Sequence, residues 1–307
     1  MREKEFLSTI ENIIGNKYIG DDCANLTDLG IVITQDSLVE GVHFLQKFIS
    51  PFQLGYKSVA VNLSDIASSG AEAKYLTIAL SLPSNMDNDF VEEFYKGVNH
   101  ACGKNITVVG GDITACDKVV VSVCAIGKTV GRNISSRANA KVGYKIVVCG
   151  EHGSSDAGLK ILNKSLKCSN DIEKTFVKSH LEPNAQIDFG RTIGEKVKEH
   201  YAMMDTSDGL MDAFYTISQK SNVLLEVDFS KIPYNKDIEC FPNWQDMVLF
   251  GGEDYGLVAV IPKDYDVGGF EVGEVKSGFG VDLLIDGITV HYTQKEVENK
   301  LFNHFKS

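Results

Sequence analysis

Six short aspartates, Asp22, Asp36, Asp65, Asp112, Asp205 and Asp208, sit beside Gly, Ser or Thr rather than beside paired lysines. Most close an apolar run: "GIVITQDS" delivers Asp36, "ITVVGGDIT" delivers Asp112, and "YAMMDTSDGL" delivers Asp205 and Asp208. In an α/β fold the ligand crevice lies at the carboxyl ends of strands, so these acids are candidates to converge. Taken singly, each is also an ordinary turn residue or helix cap, Asp208 before "GLMDAF" above all. Converging acids cannot be bare, because two like charges about 4 Å apart repel by roughly 4 kcal/mol at an effective dielectric near 20. An all-oxygen donor set selects Mg²⁺, Mn²⁺ or Ca²⁺ over zinc, and Mg²⁺ commonly completes its shell with phosphates and water. The glycine pairs in "GGD" and "GGED" allow close backbone approach to a phosphate, and His43, Lys57 and Arg137 supply cations.

Asp65 raises a separate question, because it sits in the middle of the helix-like "VAVNLSDIASSGA". Ser58, Asn62, Asp65 and Ser69 follow at spacings of four, three and four, which puts them in one stripe of a 3.6-residue helix. That stripe faces either solvent or a ligand. Its short side chains suit a ligand held close.

Strand-like runs at 30–34, 75–83, 106–111 and 118–127 alternate with helix-like ones at 51–70 and 86–104, which predicts a mixed α/β domain. The segment 131–145 has no hydrophobic period, so a boundary is expected near residue 138, giving domains 1–138 and 139–307. The second half restarts with "KIVVCG", then a small-residue turn into "LKILNKSL", and continues with β-like runs at "VLLEVDF", "MVLFGG", "YGLVAVI" and "VDLLIDGITV". A net charge of −12 argues against nucleic-acid or anionic-lipid partners. With no signal-like start and no apolar run of about 20 residues, a cytoplasmic protein is expected. Seven cysteines without a CxxC pair read as buried free thiols. "SVCAIGKTV" ends like a P-loop, but its four intervening residues continue a strand, so it is set aside.

The segments "IGDDCA" (19–24), "TQDSLVEGVHF" (34–44), "YKSVAVNLSDIASSGA" (56–71), "GGDIT" (110–114), "DTSDGL" (205–210) and "GGEDYGL" (251–257) span nearly the whole chain. In this combination and order the sequence resembles the thiamine-monophosphate kinases, of the superfamily that includes aminoimidazole ribonucleotide synthetase. The resemblance implies a two-domain α/β (α+β) fold, an N-terminal domain whose sheet pairs with a second subunit's into a homodimer, and a C-terminal α/β domain. It also implies transfer of a phosphoryl group from ATP to thiamine monophosphate. Carried over by resemblance, Asp22, Thr34, Gln35, Asp36, Asp65, Asp112, Asp205 and Asp208 would hold Mg²⁺. Gly111, Asp112, Arg137 and Ser207 would contact ATP, and His43, Glu253 and Phe302 would contact thiamine monophosphate. Arg137, Asp36 and Asp112 would carry the chemistry. Gln35 departs from the family's usual Ser or Thr, which is harmless if that position offers its backbone carbonyl and alters one metal site if it offers a hydroxyl. His43 beside Phe44 also reads as a packed ring, and Phe302 as a tail anchor.

An acceptor phosphate with a second pKa near 6 is largely a dianion at neutral pH and needs no general base. Positioning and charge neutralisation then carry catalysis, and direct in-line transfer is expected. Two other readings stay open on sequence: a different ATP-dependent synthetase of the superfamily, and a non-catalytic metal-nucleotide sensor.

Overall fold

The structure is a computed structural model and describes residues 2–15 and 18–301. After an N-terminal helix, α1 (Arg2–Ile14), the first half forms one five-stranded sheet. Its strands are β1 (Ala24–Leu26), β2 (Ile31–Val39), β3 (Glu72–Leu82), β4 (Thr107–Ala115) and β5 (Val120–Lys128), in the order β1-β2-β5-β3-β4. Neighbours are antiparallel except β3 and β4, which run parallel across the crossover helix α3 (Asn88–Cys102).

Helix α2 (Pro51–Ser69) is the pivot of the molecule. Ser50 and Gln53 form a capping box at its start, Pro51 occupies the first turn, and Gly70 ends it in the left-handed conformation, φ 80°. Small and apolar residues all round make it a buried helix, packed on β2, β3 and β5 on one side and on the second half on the other. Helices α2 and α3 cross so closely that a Cβ on Gly55 would stand 2.0 Å from the Phe94 carbonyl oxygen. An alanine there would force the helices apart.

The second half builds a seven-stranded sheet from β6 (Lys145–Cys149), β7 (Ala202–Asp205), β8 (Leu224–Asp228), β9 (Leu257–Ile261), β10 (Phe270–Lys276), β11 (Gly280–Ile285) and β12 (Ile288–Tyr292). Their order is β12-β11-β8-β10-β6-β9-β7. Around it lie α4 (Ser154–Leu162), α5 (Asn170–Leu181), α6 (Ile187–Lys196), α7 (Leu210–Ser221), α8 (Trp244–Phe250) and α9 (Gln294–Lys300). Strands β6, β7 and β9 are covered on both faces, Ile146 and Val148 entering one core and Val147 the other. That is why they read as unbroken apolar runs.

Three sequence expectations differ from the structure. "MVLFGG" is not a strand but the end of α8: Met247 to Phe250 are all buried, and a four-residue apolar run carries no period that separates strand from helix. "VDLLIDGITV" is not one run but the hairpin β11–β12, turned at Asp286 (φ 50°) and Gly287 (φ 79°). All seven cysteines are free, but Cys116 and Cys240 are exposed.

The face of the first sheet away from α2 is open. It presents Gln35, Ser37, Tyr75, Ala79, Ser122 and Cys124, and edge strand β4 is exposed along its whole length, Val109 at 56% and Ile113 at 66%. Among the described residues no helix is long and apolar enough to cross a membrane.

Candidate active site

The stripe on α2 faces neither solvent nor a ligand along its whole length. Ser58 and Ser69 are buried and return their hydroxyls to carbonyls of their own helix, Gly55 and Ile66. Asn62, fully buried, accepts from the backbone N–H of Asp36 at 3.0 Å and so ties β2 to the helix. Asp65 reaches the site. One carboxylate oxygen each from Asp22, Asp65 and Asp205 lie within 4.8 Å of one another.

Two of the three acids are oriented by neutral hydroxyl donors. Thr34 Oγ donates to Asp65 at 2.6 Å, and Ser64 and Ser207 hydroxyls donate to the two oxygens of Asp205, both at 2.8 Å. Asp205, 2% exposed, stands behind Asp22 and Asp65, which line the cavity. The charge is incompletely neutralised. The Arg137 guanidinium pairs with Asp22, and its backbone N–H donates to Asp21 at 2.8 Å. Burial, followed by the charge of Asp22, pushes the Asp205 carboxyl up to about 7. Burial and then Asp205, Asp36 and Asp22 raise Asp65 well above its ordinary value, against the Thr34 hydrogen bond. Asp36 is exposed on the cavity wall, yet enclosed enough that burial, then Asp22 and Asp208, raise it too.

The cavity, about 1240 Å³, is lined by Asp22 and Asp65 and by a second polar group. Asp36, His43, Lys57, Ser207, Asp208 and Glu253 all line it. His43 Nδ1 accepts from the Val39 N–H at 3.0 Å, which leaves Nε2 as the ring's donor. Buried Lys57 meets Glu253 at 3.1 Å and the His180 carbonyl at 3.0 Å. His180 Nδ1 lies 3.6 Å from Glu253 and 3.0 Å from Ser155 Oγ. Burial, then the Lys57 charge, lowers His180 to about 4, so the ring is neutral at pH 7 and Lys57 is the charged partner of Glu253. Burial alone would raise the Glu253 carboxyl; Lys57 foremost reverses this and holds it below its ordinary range.

Glu253 and Tyr255 both adopt left-handed backbone, φ 63° and 52°, in the loop after α8. Such residues persist only where the surroundings impose them. Here Gly252 lets the loop lie on the 205–209 turn: its Cβ would stand 2.8 Å from the Ser207 carbonyl oxygen, and the Glu253 N–H donates to that oxygen at 2.7 Å. Both glycines of "GGED" line the cavity, and Gly252 in addition packs backbone on backbone. Asp254 is turned away from the cluster, accepting from the Gly153 and Ser155 N–H groups at the start of α4.

Some expected residues stand elsewhere. Gly111 and Asp112 lie on exposed β4 at the far edge of the sheet and do not line the cavity of the single chain. Gln35 borders the cavity, but its side-chain amide donates to Ser122 on β5, on the sheet face opposite Asp65, so no side-chain oxygen of Gln35 joins the cluster. Lys57 is committed to Glu253 rather than free for a phosphate. Phe302 lies outside the described residues, while Leu301 lines the cavity. Ser64, His180 and Ser155 had no sequence signal; only their folded neighbours reveal them.

Compared with known proteins, residues 20–129 match the family model "AIR synthase related protein, N-terminal domain". The thiamine-monophosphate kinase of Aquifex aeolicus is 34% identical over 99% of this chain and 100% of its own length. That of Bacillus subtilis is 31% identical over 94% and 93%. A solved structure described as AaThiL complexed with AMPPCP and TMP superposes with a TM-score of 0.84 at 34% identity, covering 94% of each chain. The two-sheet architecture and full-length similarity agree: the chain belongs to the thiamine-monophosphate kinase family.

Proposed function

We propose that the protein transfers the γ-phosphoryl group of ATP to the phosphate of thiamine monophosphate, giving thiamine diphosphate and ADP, as a cytoplasmic step of thiamine diphosphate synthesis. The observation that carries this reading is the trio Asp22, Asp65 and Asp205 within 4.8 Å, in a chain whose full-length relatives are kinases of that name. The donor set fits Mg²⁺, since it is all oxygen and leaves more negative charge than Arg137 neutralises. Asp22, Thr34, Asp36, Asp65, Asp205 and Asp208 are the proposed ligands, with Gln35 through its backbone carbonyl and Asp112 from β4. Bound Mg²⁺ would supply charge neutralisation for the polyphosphate oxygens.

The chain's own residues position the reactants. Arg137 and Ser207, with Gly111 and Asp112, are assigned to ATP; His43, Glu253 and Phe302 are assigned to the acceptor. An acceptor phosphate with a second pKa near 6 needs no proton removed, so transfer is direct and in line, without a phosphoenzyme. We further propose two domains, 1–138 and 139–307, and a homodimer through the open face and β4 edge of the first sheet. The exposed Val109 and Ile113 support that pairing. Pairing is also what would bring Gly111 and Asp112 to a site they do not line in one chain. A panel of phosphomonoesters assayed with ATP and Mg²⁺ for ADP release tests the reading. Release with thiamine monophosphate alone supports it, and equal release with unrelated acceptors overturns it.

A further inference from the structure

We propose that Lys57 is a positioning residue of the acceptor site, fixing Glu253 as the negative group that receives the cationic ring of thiamine monophosphate. This rests on the function proposed above. The Lys57 side chain is 2% exposed and that of Glu253 28%, so the charge presented to the cavity is the carboxylate's and not the ammonium's. An anion at this end of the cavity would be repelled, whereas the permanently charged thiazolium would be attracted. The acceptor's phosphate is then repelled from Glu253 and drawn toward Arg137 and the proposed metal-bearing acids, where transfer is proposed to occur.

Lys57 suits this role because its own partners are fixed. One N–H donates at 3.0 Å to the carbonyl of His180, in the last turn of α5, where carbonyls lack partners within the helix. Another meets Glu253 Oε1 at 3.1 Å. The Glu253 backbone is held from the other side by its N–H bond to Ser207. Glu253, with its left-handed backbone, is thus gripped at both ends, its carboxylate by Lys57 of α2 and its N–H by the 205–209 turn. The other groups facing it are His180 from α5, His43 from the loop after β2, and Asp254 and Tyr255 on its own loop. With His180 neutral, Lys57 is the buried cation that keeps Glu253 ionised.

The test compares Lys57→Met, Glu253→Gln and the double variant in steady-state kinetics with thiamine monophosphate and ATP varied separately, together with thermal melts. Loss of the charge–charge attraction between the carboxylate and the cationic ring in this partly buried site raises the KM for thiamine monophosphate about 10- to 100-fold. Lys57→Met should show this rise while the KM for ATP stays within about threefold, an order-of-magnitude allowance for an indirect effect. The double variant should be no worse for the acceptor than Glu253→Gln alone, since Lys57 acts through that carboxylate. Multiplied effects in the double variant, an unchanged acceptor KM, or an equal rise in both KM values would overturn the proposal. If Lys57→Met does not fold, Lys57→Gln, which keeps a donor for the His180 carbonyl, carries the same expectations. A wild-type protein that forms no thiamine diphosphate refutes the function and this inference together. An active wild type with multiplied variant effects refutes the inference alone.

Discussion

Asp65→Asn should stabilise the metal-free protein while abolishing catalysis. The nearest carboxylate oxygens of Asp22, Asp65 and Asp205 lie within 4.8 Å of one another. At that separation two unit charges repel by about 3 kcal/mol at an effective dielectric near 20. Part of the strain is relieved by protons, since Asp205 is pushed from 3.8 to about 7. Deleting one charge at pH 8 should therefore recover about 1 to 3 kcal/mol, or roughly 2 to 4 °C of Tm per kcal/mol for a chain of this size. The amide keeps an oxygen for the Thr34 hydroxyl, now at 2.6 Å from Asp65, so the shape of the site survives. With Mg²⁺ and ATP the sign reverses, because ligand stabilisation follows RT ln(1 + [L]/Kd) and the variant has lost a ligand. Paired melts in EDTA and in Mg²⁺ plus ATP, with activity measured alongside, read both effects. A clear fall of Tm in EDTA would mean an ionised carboxylate held by structural hydrogen bonds, and would refute the reasoning.

Arg137→Ala should act in the opposite direction, lowering Tm in EDTA because Asp22 loses its cation, and it should also cut ATP use by more than tenfold; an unchanged Tm in EDTA would contradict the Asp22 pair. His43→Ala should raise the KM for thiamine monophosphate more than that for ATP, and equal effects would remove His43 from the acceptor site. The increment of Tm produced by Mg²⁺ should grow from pH 5.5 to pH 8. Asp205 has a folded pKa near 7, above its unfolded value, so the metal-free fold loses stability as pH rises through that interval. The buried neutral histidines His152 and His180, both near 4, change stability in the opposite sense but equally with and without metal, so they cancel in the increment. An increment that is flat or shrinks with pH would count against metal binding at this cluster.

Five of the six acids could be grouped from sequence because short aspartates beside small residues occur together and in the order of the family's motifs, although each alone is an ordinary turn or cap; Asp112, on β4, does not join them in one chain. Asp22, Asp36, Asp65 and Asp208 border one cavity or cluster with Asp205 behind them. What the sequence did not carry is anything decided by a second element. Asn62, Ser58 and Ser69 share a stripe with Asp65, yet the two serines serve their own helix and Asn62 ties that helix to β2. Lys57 looked like a phosphate ligand until α5 and the 251–256 loop brought His180 and Glu253 against it. Gln35 follows strand alternation to the opposite face from Thr34, which is readable only once β2 and its pairing with β5 are fixed. "MVLFGG" failed because a short apolar run has no period, while the Asp286-Gly287 turn was a readable hairpin signal.

The most direct test is product identification in a single incubation of the protein with thiamine monophosphate, ATP and Mg²⁺. Chromatography should recover thiamine diphosphate and ADP in equal amounts, with neither formed in EDTA and none formed when unphosphorylated thiamine replaces the monophosphate. ADP without thiamine diphosphate, or full turnover in EDTA, would contradict metal-dependent phosphoryl transfer to thiamine monophosphate.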